Sequence, residues 1–139
     1  MTSKELLTLL NQAIADEIQV SIQYAVQSFV WKGIHGFAVK EELMNIAKNE
    51  MTHIEKVSER IWYLGEMPTT IPDLVTIGTT LKEMLELNIK DEVGAIELYK
   101  KIISQATLEQ DTTTAFLASQ ILQEEEQHHD VFSTLLEEL

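Results

Sequence analysis

Both prolines of this chain, Pro68 and Pro72, fall inside one stretch, GEMPTTIPDLVTIGTT at about 65–80, and little else interrupts a helix. Only 5 glycines occur in 139 residues, while Leu, Ile, Glu, Lys and Ala are abundant. Prolines and clustered turn residues break helices, and the abundant types favour them. The chain is therefore expected to be all-α, with long helices on either side of one extended connection. At 45% hydrophobic it has the material for one sizeable core, so residues 1–139 are expected to form a single domain.

Apolar and small residues recur at helical spacing from Leu6 through Leu10, Ile14, Ser21, Tyr24 and Ser28 to Trp31. With Thr2 and Glu5 as a capping box, the pattern predicts a first helix over about 3–32. Gly33 and Gly36 should bracket a short turn, and a second helix should run from about 37 to 64, closed by Gly65. Thr80 with Glu83 should cap a third helix over about 80–107, and Gln110–Asp111 should begin a fourth. The extended segment can reach ~50 Å at ~3.3 Å per residue. A helix of about 28 residues is only ~42 Å long, so the segment can return along the whole bundle. Short turn, long crossover, short turn makes two antiparallel helical hairpins, the connectivity of a ferritin-like four-helix bundle.

Polar residues on the expected inward faces form a repeat. Adding 75 to positions 17, 24, 50 and 53 gives 92, 99, 125 and 128, and the residue types match: Glu17/Glu92, Tyr24/Tyr99, Glu50/Glu125 and His53/His128. Glu50 with His53, and Glu125 with His128, lie three apart and so share a helix face. The midpoint of 17 and 50 falls at the first expected turn, and that of 92 and 125 at the second, so each Glu pair should be level within its hairpin. One helical Glu-x-x-His is ordinarily a surface pair of small energetic value. Four motifs at matched heights are better explained by metal, because isolated buried carboxylates are very costly. The offset selects Glu125 and His128 over Glu126 and His129, which should be surface groups, as should Asp91.

Four carboxylates and two imidazoles balance two divalent cations and match the donor set of di-iron and di-manganese bundles. The metals should lie about 3.5–4 Å apart. Tyr24 and Tyr99 should either hydrogen-bond the neighbouring Glu, donate electrons, or simply fill the core. With no cysteine, the chain has no disulfide, thiolate zinc site, Cys nucleophile or rubredoxin-type iron. A charge of −13 disfavours nucleic acid and favours small cations. No apolar run approaches a membrane span, and MTSKELLTLL lacks the features of a signal peptide, so a cytoplasmic protein is expected.

The stretches NEMTHIEKVSERIWYLGEMPT and ILQEEEQHHD closely resemble bacterioferritin, and the similarity runs over the whole chain. The resemblance implies that Glu50 and Glu125 bridge two irons, with Glu17 and His53 on one and Glu92 and His128 on the other. It implies a ferroxidase that oxidises Fe(II) with O2 or H2O2 for storage or detoxification. It also implies a haem b shared by Met51 of two subunits, because Met51 points away from the di-iron site.

Asn45 and Asn49 stand where the family has His and Asp, which argues against an auxiliary inner-surface iron site, and the sequence stops before the family's short fifth helix. A homodimer through Met51, Ile18, Ile22 and Ala25 is expected, with a 24-subunit cage as the larger form storage would need. A rubrerythrin-like peroxidase would carry a Glu where Ala95 stands, and another di-iron oxidase would need an apolar cavity beside the metals. A Dps-like DNA coat would need basic tails, whereas this chain ends in LEEL.

Overall fold

The computed structural model describes residues 1–139 and contains four helices, α1 (Lys4–Phe29), α2 (Gly33–Tyr63), α3 (Leu81–Leu108) and α4 (Thr112–Glu137). The most extensive packing is within the pairs α1/α2 and α3/α4, with α1 against α3 and α2 against α4 closing the bundle. The long connection lies between α2 and α3, as expected for two hairpins and one crossover. No helix is long and apolar enough to cross a membrane.

The ends of the helices correct the sequence reading in two places. Ser3, not Thr2, caps α1, its hydroxyl accepting from the Leu6 N–H at 3.1 Å. Its own N–H is held by the Glu109 carboxylate at 2.9 Å, so a residue at the end of α3 decides where α1 begins. The first turn is Val30–Lys32, earlier than the two glycines suggest. Gly33 opens α2 with φ +72, whereas Gly36 lies inside that helix, where an added Cβ would come within 3.1 Å of the Trp31 Cβ. Gly36 is thus a packing glycine, and Trp31 belongs to the turn. The other ends follow the sequence: Thr80 caps α3, Asp111 caps α4, and Gly65 follows α2 with φ +93.

The crossover is tied along α1 by hydrogen bonds that advance together in both segments. The Thr69 N–H donates to Asn11 Oδ1 at 2.8 Å, Asp73 N–H to the Ala15 carbonyl at 3.1 Å, and Thr76 N–H to Gln23 Oε1 at 3.2 Å. Gln27 Nε2 then donates to the Ile77 carbonyl at 3.0 Å. Gln27 also exchanges two hydrogen bonds with Asn88 of α3, at 3.0 and 2.7 Å. Gln23, Gln27 and Asn88 are fully buried, so their amides need these partners. Together they fasten crossover, α1 and α3 to one another.

Two apolar clusters fill the bundle. One gathers Leu6, Leu10, Ile14, Val57, Ile61 and Ile102 with their neighbours. The other gathers Val20, Tyr24, Leu43, Ile46, Leu85 and Phe132 with theirs. Along every helix the residues separating the two clusters include a predicted site position, so the polar centre lies at mid-height between two dry plugs.

Asp111 joins the two ends of the second turn to the first hairpin. It caps Thr114 N–H at 3.0 Å and receives Arg60 Nη2 at 2.8 Å. Partial burial opposes its charge, but the Thr114 hydrogen bonds and the Arg60 charge hold its carboxyl below the usual range. We expect Asp111→Ala to lose about 2 kcal/mol in urea unfolding, combining a lost cap with a lost charge-assisted bond. Because the folded pKa is depressed, this contribution is present above about pH 4 and disappears as the pH falls through the lower folded value. A wild-type–variant difference that did not shrink in acid would contradict this role.

Candidate metal centre

All six residues of the repeat lie within the bundle at one height, each no more than 6% exposed. Glu17 comes from α1, Glu50 and His53 from α2, Glu92 from α3, and Glu125 and His128 from α4. His53 Nδ1 is 2.9 Å from Glu50, 3.1 Å from Glu125 and 3.3 Å from Glu17. His128 Nδ1 is 2.8 Å from Glu50, 3.4 Å from Glu125 and 3.6 Å from Glu92. Two four-residue groups result, Glu17–Glu50–His53–Glu125 and Glu50–Glu92–Glu125–His128, each with ligating atoms within 4.8 Å of one another. Glu50 and Glu125 belong to both.

This arrangement suits a pair of cations better than it suits itself. Each Nδ1 carries at most one proton, yet three carboxylates crowd it. Glu92 Oε2 and Glu125 Oε1 are buried with no hydrogen-bond partner. Glu125 Oε1 is near both imidazoles, but nearness to a nitrogen whose proton points elsewhere is not a hydrogen bond. Orphaned buried oxygens are costly, and two divalent ions would give them partners and cancel four negative charges. Oxygen and imidazole donors without sulfur fit iron or manganese.

The tyrosines behave differently from the simplest expectation. Tyr24 O–H donates to Glu92 at 2.9 Å, and Tyr99 O–H donates to Glu17 at 3.0 Å, so each serves the opposite hairpin's Glu. α1 and α3 run antiparallel, and seven residues along one helix reaches the level of the other helix's carboxylate. Asp91 also departs from the surface reading, since it is half-buried and accepts from Gln23 Nε2 at 2.8 Å. Glu126 is exposed and His129 half-buried, and neither joins the cluster. Met51 is 48% exposed on the outside of α2, with Ile22 of α1 at 44%.

Two features escaped sequence reasoning. Glu124 accepts from His53 Nε2 at 2.7 Å and from Asn49 Nδ2 at 3.3 Å. In a run of three glutamates nothing local marks it out, although it stands 75 residues after Asn49. The other is a cavity of about 310 Å3 between α1 and α3, whose lining includes Asp16, Asp73 and Asp91 outside and Glu17, Glu92 and Glu125 within. Asp73 reaches it from the crossover, which no spacing along a helix could reveal.

Residues 7–139 match the ferritin-like domain family. A bacterioferritin of Mycolicibacterium paratuberculosis (strain ATCC BAA-968 / K-10) is 31% identical over 134 residues, covering 96% of this chain and 84% of that protein. A solved ferritin-like, diiron-carboxylate protein from Bacillus anthracis str. Ames superimposes with a TM-score of 0.94 at 29% identity, covering 98% of this chain and 99% of that one. The bacterioferritin of Desulfovibrio desulfuricans, solved with its diiron site in different catalytic states, gives a TM-score of 0.89 at 28% identity, covering 96% and 78%.

Without metal the cluster must share protons. Burial, then the neighbouring Glu17 and Glu125 charges, push Glu50 well above the usual carboxylate range. Burial and Glu125 push Glu92 up to about 8. Burial alone would lower His53, but the close Glu125 and Glu17 carboxylates outweigh it and raise it to about 11. His128 is raised to about 9 against the same opposing burial, by Glu125 and Glu92. Glu125 shows the reverse: burial opposes its charge, yet His128 and His53 hold it at about 2.

Groups with raised folded values bind more protons in the native state than in the unfolded chain. Their contribution is complete below their unfolded values and lost as pH climbs through the folded ones. The metal-free protein is therefore expected to lose stability from about pH 5 to about pH 11, the folded value of His53, measured by urea unfolding in the presence of a chelator. Stability that rose over that window would refute this account of the cluster.

Proposed function

Because the chain belongs to the ferritin-like, bacterioferritin-related family, we propose that it is a ferroxidase, oxidising Fe(II) to Fe(III) with O2 or H2O2. Its work on this reading is iron storage or detoxification. The observation that carries the reading is the pair of overlapping four-residue groups joined through Glu50 and Glu125. Glu17 and His53 would hold one iron, Glu92 and His128 the other, with Glu50 and Glu125 bridging.

Two adjacent Fe(II) ions supply two electrons together, which reduces O2 to H2O2, or H2O2 to water, with uptake of two protons. The protein's part is to place and prepare. Hard carboxylate donors favour Fe(III) over Fe(II), which makes the electrons easier to give up. Tyr24 and Tyr99 orient Glu92 and Glu17 through their hydroxyls. The apolar clusters above and below exclude water and fix the helices that carry the ligands. The acidic cleft beside Glu17 and Glu92 attracts cations and gives them a short way in.

The same cleft weighs against an oxygenase acting on an organic substrate. Of its lining residues only Val20 and Ala95 are apolar, so it offers little to a hydrophobic molecule. Ala95 also stands where a peroxidase of the rubrerythrin type would place a further carboxylate. Cation oxidation is what the lining supports.

On this reading Met51 and Ile22 form part of a two-fold contact, because large apolar side chains left about half exposed gain by pairing. Each chain offers Met51 as one thioether, so haem capture needs two copies.

Glu50→Ala and Glu125→Ala should each slow rapid Fe(II) oxidation by more than about 100-fold, since a bridge serves both metals. Stopped-flow absorbance reads this, and wild-type rates in both variants would sink the assignment. Light scattering should find at least a dimer. Added haem should bind at one per two chains with a low-spin spectrum that Met51→Ala abolishes. A monomer would end the two-fold proposal, and the absence of a low-spin spectrum would end the haem proposal.

A further inference from the structure

The two halves of the centre are related by the 75-residue offset, and so are Asn49 and Glu124. These two residues face each other across the bundle, Asn49 Nδ2 donating to Glu124 Oε1 at 3.3 Å. If the symmetry were complete, the residue at 124 would back His53 and the residue at 49 would back His128. Only the first half of that statement holds. His53 Nε2 lies 2.7 Å from Glu124 Oε2, while the polar contacts of His128 all run through Nδ1, to Glu50, Glu92 and Glu125.

The chemistry of the two backing positions differs in kind. Glu124 is an anionic acceptor, so it holds a proton on Nε2 of His53; Nδ1, which faces Glu17, Glu50 and Glu125, is then the nitrogen that a cation would take in place of its proton. A ligating imidazole backed by a carboxylate is held in one tautomer and one orientation, and is a stronger donor. Asn49 is neutral, and its amide hydrogen is turned toward Glu124 rather than toward His128. The side chain of His128 also keeps 8% of its surface open, against 0% for His53. One imidazole is clamped from behind, and the other is free behind.

We propose that Glu124 is a positioning residue for His53, and that the Glu124/Asn49 difference makes the two metal positions unequal. The Glu17/His53 position fills first and holds its ion. The Glu92/His128 position fills second and exchanges. This rests on the di-metal reading above and deepens it by dividing the labour between the two ions. The tight position keeps one ion in place, while the loose one, beside the more open imidazole, receives and releases iron.

Titrating metal-free protein with Co(II), followed by visible ligand-field absorbance, separates these ideas. Wild type should take up two ions per chain in two distinct steps. Glu124→Gln should weaken the first step by about 10- to 100-fold, the usual effect of removing such a backing group, and leave the second unchanged. Glu124→Asp should keep the two steps apart. Asn49→Asp should strengthen the second step and bring it toward the first. Glu124 is one third exposed, so these variants keep their core intact. Two equal steps in wild type, or a Glu124→Gln variant that weakens both steps alike, would overturn the inequality while sparing the di-metal reading. Uptake of fewer than two ions per chain would overturn both.

Discussion

Six ionisable side chains buried at one level of a helical bundle are the constraint on which everything else in this protein depends. Four carboxylates together in a dry interior repel one another and lack solvent, and each ion carries a desolvation cost of several kcal/mol. The metal-free chain relieves this by holding protons on Glu50, Glu92 and both imidazoles. Even so, two carboxylate oxygens remain without partners. A protein that only needed to fold would place apolar side chains here, as it does above and below with Ile14, Val20, Val57, Ile121 and Phe132. The polar layer is a standing instability that bound cations would relieve.

The rest of the architecture serves to keep that layer in register. Helices of 26 to 31 residues carry each candidate ligand away from their fraying ends. The apolar clusters on either side supply the packing energy that the layer lacks. The buried amides Gln23, Gln27 and Asn88 lock the crossover onto α1 and α3, which sets the height of one hairpin against the other. The crossed tyrosine bonds make the dependence mutual, since Glu17 is held by a residue of the second half and Glu92 by one of the first.

Charge is arranged on the same plan at larger scale. The chain carries −13 overall, and three aspartates gather where a cleft opens toward the centre. Asp16 there is raised to about 8, by burial first and then by its hydrogen bond with Asp73, so the mouth of the cleft stores a proton as the centre does. Lys90 also lines this cleft, but carboxyl groups outnumber it from the mouth to the buried cluster, so the lining as a whole favours cations. Near-symmetry of the two halves gives two overlapping carboxylate–imidazole groups, and an acid–amide difference at Glu124 and Asn49 distinguishes what lies behind the two imidazoles.

By itself the sequence determined the helices, the single crossover, and the clustering of the six candidate site residues. Each of these depends on spacing: 3.6-residue periodicity, clustered breakers, and an offset of 75 between like residues. Spacing places a side chain on a face and at a height, which was enough to bring Glu17, Glu50, His53, Glu92, Glu125 and His128 to one level. What only the tertiary structure decided involves partners on other segments. Ser3 rather than Thr2 caps α1 because Glu109, just past the end of α3, holds it, and Gly36 is glycine because Trp31 packs on it. The tyrosines cross because two helices run antiparallel, Asp91 is drawn inward by Gln23, and Glu124 stands out from its two glutamate neighbours only through His53. Local periodicity reports the direction in which a residue points, whereas its hydrogen-bond partner depends on which helix lies opposite and at what height.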